Sequence, residues 1–253
     1  MTARPTRVLI IGSGPDATEA AGWARGPFTH IVAINNAWAI RPDWDFTIHP
    51  EDFPPERRPT DMAPGQRMVD AAEYVPVQNS LGGFVYAGGT MAFTAGYWAL
   101  ATLRPEVMAF VGCNMIYPAT GKTHFYGRGD ADPLREDITL QSLEAKSARL
   151  ALIAGARGCA CVTLSRGESR LLFPRGTPDT LSTVPMLTPE PESMAAAEAR
   201  ERALGYMVPS GRYWEIAERF DAAELRALDD LWLAAHARAM AGAEGDSRMR
   251  RLG

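Results

Sequence analysis

The sequence predicts an α/β fold: a Rossmann-like, mostly parallel sheet with helices on both faces and a helical C-terminal extension. Three observations predict it. Short runs rich in β-branched and apolar residues recur without polar alternation, as strands buried on both faces require. Segments with helical spacing separate them, which makes the connections crossovers rather than hairpins. A glycine-bearing turn, Gly12-Ser-Gly-Pro, follows the first run and opens the first helical segment.

In chain order, Val8–Ile11 is the first strand, Ala17–Trp23 a helix and His30–Ile34 the second strand, ending at Asn35-Asn36. Phe46–Ile48 is a third short strand stopped by His49-Pro50, and the proline-rich stretch from Glu51 to Gly65 predicts no regular element. Thr90–Leu103 reads as a buried helix ended by Arg104-Pro105. It is followed by a strand at Val107–Val111, a helix over Ser142–Ala154 closed by Gly155, and a last core strand at Ala160–Leu164.

Residues 167–191 are rich in Pro, Thr and Ser and read as a surface connection. Pro191 suits a first helical turn and Gly205 a stop, bracketing a helix over Glu192–Leu204. Asp221 and Glu224 form a capping box ahead of a stripe of Leu225, Leu228, Trp232 and Ala235. That stripe either docks on the core or makes a homo-oligomer contact through the C-terminal helices. Two units follow: a Rossmann-like nucleotide-binding core with the catalytic loop at 1–166, and a surface connection with C-terminal helices packing on it at 167–253. The tail Gly242–Gly253 reads as disordered.

Composition narrows the partners. Over 253 residues the formal net charge is −4, so no global positive field holds nucleic acid or an anionic membrane, and any phosphate site is local. The longest apolar runs fall well short of a transmembrane helix, and the N-terminal one is too short for a secretory signal, so a cytoplasmic protein is expected. Cys113, Cys159 and Cys161 sit inside apolar segments without C-x-x-C spacing and read as reduced core residues.

The chemistry-bearing residues cluster where strands end. Gly12, Ser13 and Gly14 match the G-x-G-x-x-G/A fingerprint, whose glycines let backbone N–H groups and a helix N-terminus approach an anion; a self-capped α/β turn is the alternative. A dinucleotide site also wants an acidic residue after the second strand, and Asn35 and Asn36 stand there instead. Amides read a base or ribose by donating and accepting, which favours a mononucleotide over a dehydrogenase cofactor. Asp43-Trp-Asp45 has D-x-D metal spacing, although it precedes a strand as turn residues do. His49 lies at the far end of that strand, where ligands of parallel sheets gather, and a strand-end cap is its alternative role. Gly88, Gly89 and Thr90 form either a second anion cradle or a plain helix entry, and Asn114 follows the strand ending at Val111.

Taken in order, IIGSGPD, AINNAW, IHP, GGTMAFTAGYWAL, GCNMIY, THFYG and CVTLS resemble the compact bacterial sialyltransferases. They also resemble the related motility-associated glycosyltransferases and pterin pyrophosphokinase-like proteins, over about residues 7 to 166. The resemblance implies that Gly12, Ser13, Gly14 and Asn35 bind a cytidine nucleotide and that Gly88-Gly89-Thr90 contacts the sugar nucleotide. It implies His124 as general base, and Tyr117 and Tyr126 as donors to the departing phosphate. Ser13, His49 and Asn114 depart from the family's asparagine, asparagine and aspartate.

Chemistry gives a reason for a histidine in the stretch GKTHFYGRGDADPL. An acceptor hydroxyl must lose a proton as it attacks an anomeric carbon, and imidazole titrates where that transfer is easiest. Lys122, Arg128 and the tyrosines would offset charge on the leaving nucleotide, and Gly121, Gly127 and Gly129 would let the segment close as a lid. Asp130, Asp132 and Glu136 read as solvated or helix-start acids. The expectation is therefore an inverting, metal-independent glycosyltransferase with a nucleotide sugar as substrate, no cofactor and an acceptor the sequence does not name. The alternatives are a nucleotide-binding module without catalysis, and a pyrophosphokinase holding Mg²⁺ on Asp43, Asp45 or Asp52.

Overall fold

The structure is a computed structural model that describes residues 5–117, 121–128 and 136–249, with residues 244–249 described by backbone alone. Six parallel strands form one sheet in the order β4-β3-β2-β1-β5-β6. They are β1 (Arg7–Ile11), β2 (His30–Ile34), β3 (Phe46–Ile48), β4 (Arg67–Val69), β5 (Val107–Val111) and β6 (Ala160–Thr163). The α/β class read from the apolar runs is the class observed.

Alternating side chains divide the core in two. Val8, Ile10, Val32, Ile34, Met108 and Phe110 pack against α1 (Ala71–Asn79), α3 (Met91–Thr102) and α4 (Leu143–Ala156). Leu9, Ile11, Ile31, Ala33, Ala109 and Val111 face the 3-10 segments Pro15–Gly22, Asn35–Ile40 and Pro178–Thr183. Helical layers therefore cover both faces, but the second layer consists of tight turns. The helix expected over Ala17–Trp23 is one of them, opened by Pro15 at its first position.

Three elements have no counterpart in the sequence reading. β4 is a three-residue edge strand beside β3, and α1 follows it with Asp70 as N-cap, its carboxylate accepting from the Ala72 N–H (3.0 Å). The four-residue helix α2 (Phe84–Ala87) leads into the Gly88 turn.

The C-terminal helices α5 (Pro191–Leu204) and α6 (Ala222–Met249) belong to the same core. Gly205 ends α5 in the left-handed conformation (φ 62°), and Asp221 caps α6. Leu225, Leu228, Trp232 and Ala235 are buried against the sheet-packed helices, so the stripe docks within the chain. Arg149 of α4 donates to both carboxylate oxygens of Glu201 (2.6 and 2.8 Å), to the Tyr97 hydroxyl (2.7 Å) and to the Leu81 carbonyl (2.6 Å). Lys146 pairs with Asp229 at 2.7 Å, also buried. The tail expected to be disordered from Gly242 continues the helix to Met249; alanines at 239, 241 and 243 and the lack of any proline let it propagate. Among the described residues no helix is long and apolar enough to cross a membrane.

Candidate functional site

Because the strands are parallel, their C-terminal ends share one rim, and Gly12, Asn35, His49, Asp70, Gly112 and Leu164 each follow a strand there. Gly12 and Gly112 lie back to back. A Cβ on Gly12 would fall 2.3 Å from the Gly112 carbonyl oxygen, and one on Gly112 would fall 2.5 Å from the Ala17 Cβ. The Gly12 N–H donates to the Val111 carbonyl (2.8 Å) and the Gly14 N–H to the Gly112 carbonyl (2.8 Å). These glycines thus allow two loops to meet, and the N–H groups of Gly12 and Gly14 are committed to that contact. Asn114 completes it: its Nδ2 donates to Asp16 Oδ2 (3.1 Å), while its backbone carbonyl accepts from the Arg170 N–H (3.0 Å).

Register extends the rim across β2 and β3. Ile11 pairs with Ala33 and Ile34 with Ile48, so Ser13, Asn35 and His49 stand at consecutive strand ends, about 4.8 Å per step. Asn35 takes a left-handed backbone (φ 53°) and leads with half-buried Asn36 into the 3-10 segment. His49 is 4 % exposed, stacks on Phe53 (5.3 Å between ring centroids) and places Nδ1 3.0 Å from the Pro50 carbonyl. A carbonyl only accepts, so Nδ1 carries a proton, and in the neutral ring Nε2 presents a lone pair.

The loop carrying His124 reaches the same rim. Its Phe125 N–H donates to the Ser13 carbonyl at 3.0 Å, and the Phe125 ring seats in the second core face. His124 and Gly127 exchange backbone hydrogen bonds (2.9 and 3.0 Å), closing a tight turn in which Gly127 has φ 126°. The imidazole is 8 % exposed, stacks on Tyr126 (5.0 Å), lies 6.4 Å from the Tyr117 ring and places Nδ1 2.9 Å from the Thr123 hydroxyl. Burial lowers its pKa below the usual histidine value, which keeps the ring neutral at pH 7. Lys122 and Arg128 are exposed on either side. Gly129, Asp130 and Asp132 lie outside the described residues.

Gly88, Gly89 and Thr90 enter α3, with Thr90 capping it by accepting from the Phe93 N–H (3.4 Å). Here the C-terminal region intervenes. The Gly89 N–H donates to the Thr139 hydroxyl (2.9 Å), and a Cβ on Gly89 would fall 2.0 Å from the Tyr213 hydroxyl oxygen. That hydroxyl donates to Asp137 (2.7 Å), which also accepts from the Thr139 N–H and hydroxyl (2.8 and 2.6 Å). Arg212 pairs with Glu51 beyond β3 (3.2 Å), and Asn79 donates to the Pro209 carbonyl (2.8 Å). The strand-end rim therefore carries a strap, residues 209–213, that sequence reasoning missed. No local signal marks it, since Tyr213 and Asp137 lie 76 positions apart.

Asp43 and Asp45 lie at the other end of β3. Arg41 binds Asp43 (2.6 Å), and its hydrogen bond holds that carboxyl below the usual range; Arg25 binds Asp45 (2.7 Å), which also accepts from the Ile31 N–H (2.8 Å). They brace the N-terminal edge, and Asp52 is exposed. Among the described residues no three His, Cys, Asp or Glu side chains form a metal-ligand group. Cys113, Cys159 and Cys161 are buried thiols, each raised above the ordinary cysteine range by burial. An open depression of about 580 Å³ lies between Trp23 and Arg175, outside the candidate residues. Compared with protein-family models, with curated proteins and with solved structures, the chain matches none, so the rim's chemistry rests on its own residues.

Proposed function

We propose that the chain is a glycosyltransferase-like enzyme acting on a nucleotide-activated sugar, with His124 as general base. The observation that carries the reading is the hydrogen bond from the Phe125 N–H to the Ser13 carbonyl, which holds the histidine loop against the first βα turn. A buried imidazole that stays neutral at pH 7 suits the task. In the proposed tautomer Nδ1–H donates to the Thr123 hydroxyl, which leaves Nε2 to take the acceptor's proton.

In the proposed step the acceptor oxygen forms a bond to the anomeric carbon as its proton passes to His124. The bond from that carbon to the phosphate oxygen breaks, and the nucleotide leaves with the electron pair. Tyr126, Tyr117, Lys122 and Arg128 are the groups suited to stabilise that charge. A CMP-sugar donor and a metal-independent, inverting course are what the resemblance to bacterial sialyltransferases implies.

A second reading is a nucleotide-binding module without catalysis, in which the same loops hold a ligand and His124 is incidental. Turnover separates the two. CMP-, UDP- and GDP-sugars are assayed with and without EDTA in the parent and in His124→Ala and His124→Gln. The expected result is turnover that survives EDTA and falls ~10²–10⁴-fold in both variants while nucleotide affinity is kept. Full turnover in His124→Ala refutes the base, and nucleotide binding by a parent without turnover establishes the module.

A further inference from the structure

Four buried side-chain atoms on the rim make no hydrogen bond: Asp16 Oδ1, Asn35 Oδ1, His49 Nε2 and Asn114 Oδ1. All four are acceptors. The Asn114 amide is oriented by its bond to Asp16 Oδ2, so its Oδ1 is the free end, and His49 Nε2 is the lone-pair nitrogen because Nδ1 faces a carbonyl. Acceptors shielded from water without a donor are costly, and a set of them along one edge calls for a ligand that brings donors.

A phosphate does not fit the first turn. It would meet the Asp16 carboxylate, while the Gly12 and Gly14 N–H groups that would otherwise receive it are bonded to the β5 loop. A pair of adjacent hydroxyls does fit. The hydrogen bond between Asn114 Nδ2 and Asp16 Oδ2 fixes the two side chains beside each other, and each keeps one acceptor oxygen without a partner. In dinucleotide-binding folds a carboxylate after the second strand takes a ribose hydroxyl. That position is Asn35 here, and the acid arrives from the first turn instead, with Asn114 of the β5 loop as its partner.

We infer that the Asp16–Asn114 pair is a diol-binding subsite, taking the vicinal hydroxyls of a ribose or of a sugar ring, and that phosphate groups lie elsewhere. Naming the ribose or the sugar as the source of the diol rests on the nucleotide-sugar reading; the diol chemistry itself does not.

Titration calorimetry with CMP, 2′-deoxy-CMP, AMP, 2′-deoxy-AMP and free galactose, in the parent, Asp16→Ala and Asp16→Ser, tests it. Thermal unfolding confirms that each variant is folded, and Asn114→Ala serves if neither Asp16 variant is. The ribose form of the inference expects ribonucleotides to bind about tenfold or more tightly than their deoxy counterparts, a preference that Asp16→Ala erases. Equal ribo and deoxy affinity together with galactose binding that Asp16→Ala abolishes assigns the diol to the sugar. Nucleotide binding indifferent to both the 2′-hydroxyl and Asp16, with no Asp16-dependent galactose binding, overturns the subsite and leaves the transferase reading standing. Asp16-dependent galactose binding without any nucleotide binding keeps the subsite and removes the transferase reading. No binding of any probe overturns both.

Discussion

Gly12→Ala tests the loop contact on which the rim depends. The new methyl would lie 2.3 Å from the Gly112 carbonyl oxygen, 2.7 Å from Cys113 Sγ and 2.8 Å from the Gly112 carbonyl carbon. Two of these atoms are backbone, so relief requires the loops after β1 and β5 to part. Overpacking a rigid site costs about 1–3 kcal/mol, and weakening the Gly12–Val111 and Gly14–Gly112 hydrogen bonds about 0.5–1.5 kcal/mol each. The expected loss is about 2–6 kcal/mol, or about 4–12 °C in Tm at about 2 °C per kcal/mol for a chain of this size. Urea unfolding followed by circular dichroism reads the midpoint, with Gly22→Ala as control because nothing lies within 4 Å of a Cβ there. The control should stay within about 0.5 kcal/mol of the parent. A Gly12→Ala midpoint equal to the control's would refute the reasoning, because the loops would then have room between them.

Further outcomes concern the strap, the buried charges and pH. Gly89→Ala should destabilise through its 2.0 Å approach to the Tyr213 oxygen, and Tyr213→Phe should recover part of that loss in the double variant, a coupling that chemical denaturation measures. Glu201→Ala, which leaves Arg149 buried without its anion, is expected to cost about 3–5 kcal/mol in urea unfolding, and Arg149→Met combined with Glu201→Leu markedly less. His124 and His236 have pKa values lowered from 6.5 by burial, so between their folded values and 6.5 the unfolded chain binds protons that the folded chain refuses. Their contribution is present above pH 6.5 and is lost as pH falls through that window, and His236→Gln should flatten the slope of Tm against pH there.

Strand positions were legible because parallel strands must be apolar on both faces, which leaves runs such as Val107–Val111 without alternation. Caps were legible for the same local reason, and Asp221 and Gly205 stand where the sequence places them, whereas α4 runs through the expected stop at Gly155 to Ala156. β4 was hidden because two of its three side chains, Arg67 and Met68, are exposed at the sheet edge, where no apolar signal forms. α1 was hidden by Pro76 inside it, a residue that ordinarily marks a helix end. At the rim, proximity to strand ends pointed to Gly12, Asn35, His49, Asn114 and His124 one at a time. The commitment of the glycine N–H groups, the part played by Asp16 and the placement of Tyr213 over Gly89 arise only from tertiary contacts, which no window of sequence contains.

The salt links of Arg149 and Lys146 bear on how the polypeptide can be handled. A fragment ending at residue 166 would retain a guanidinium and an ammonium whose counter-ions, Glu201 and Asp229, had been cut away. Such a truncation parts both cations from their anions and bares the apolar face that Leu225, Leu228 and Trp232 cover, a condition that favours aggregation. What reads along the sequence as an appendage supplies the anions that let α4 lie beneath it, and soluble material should be sought from the full length.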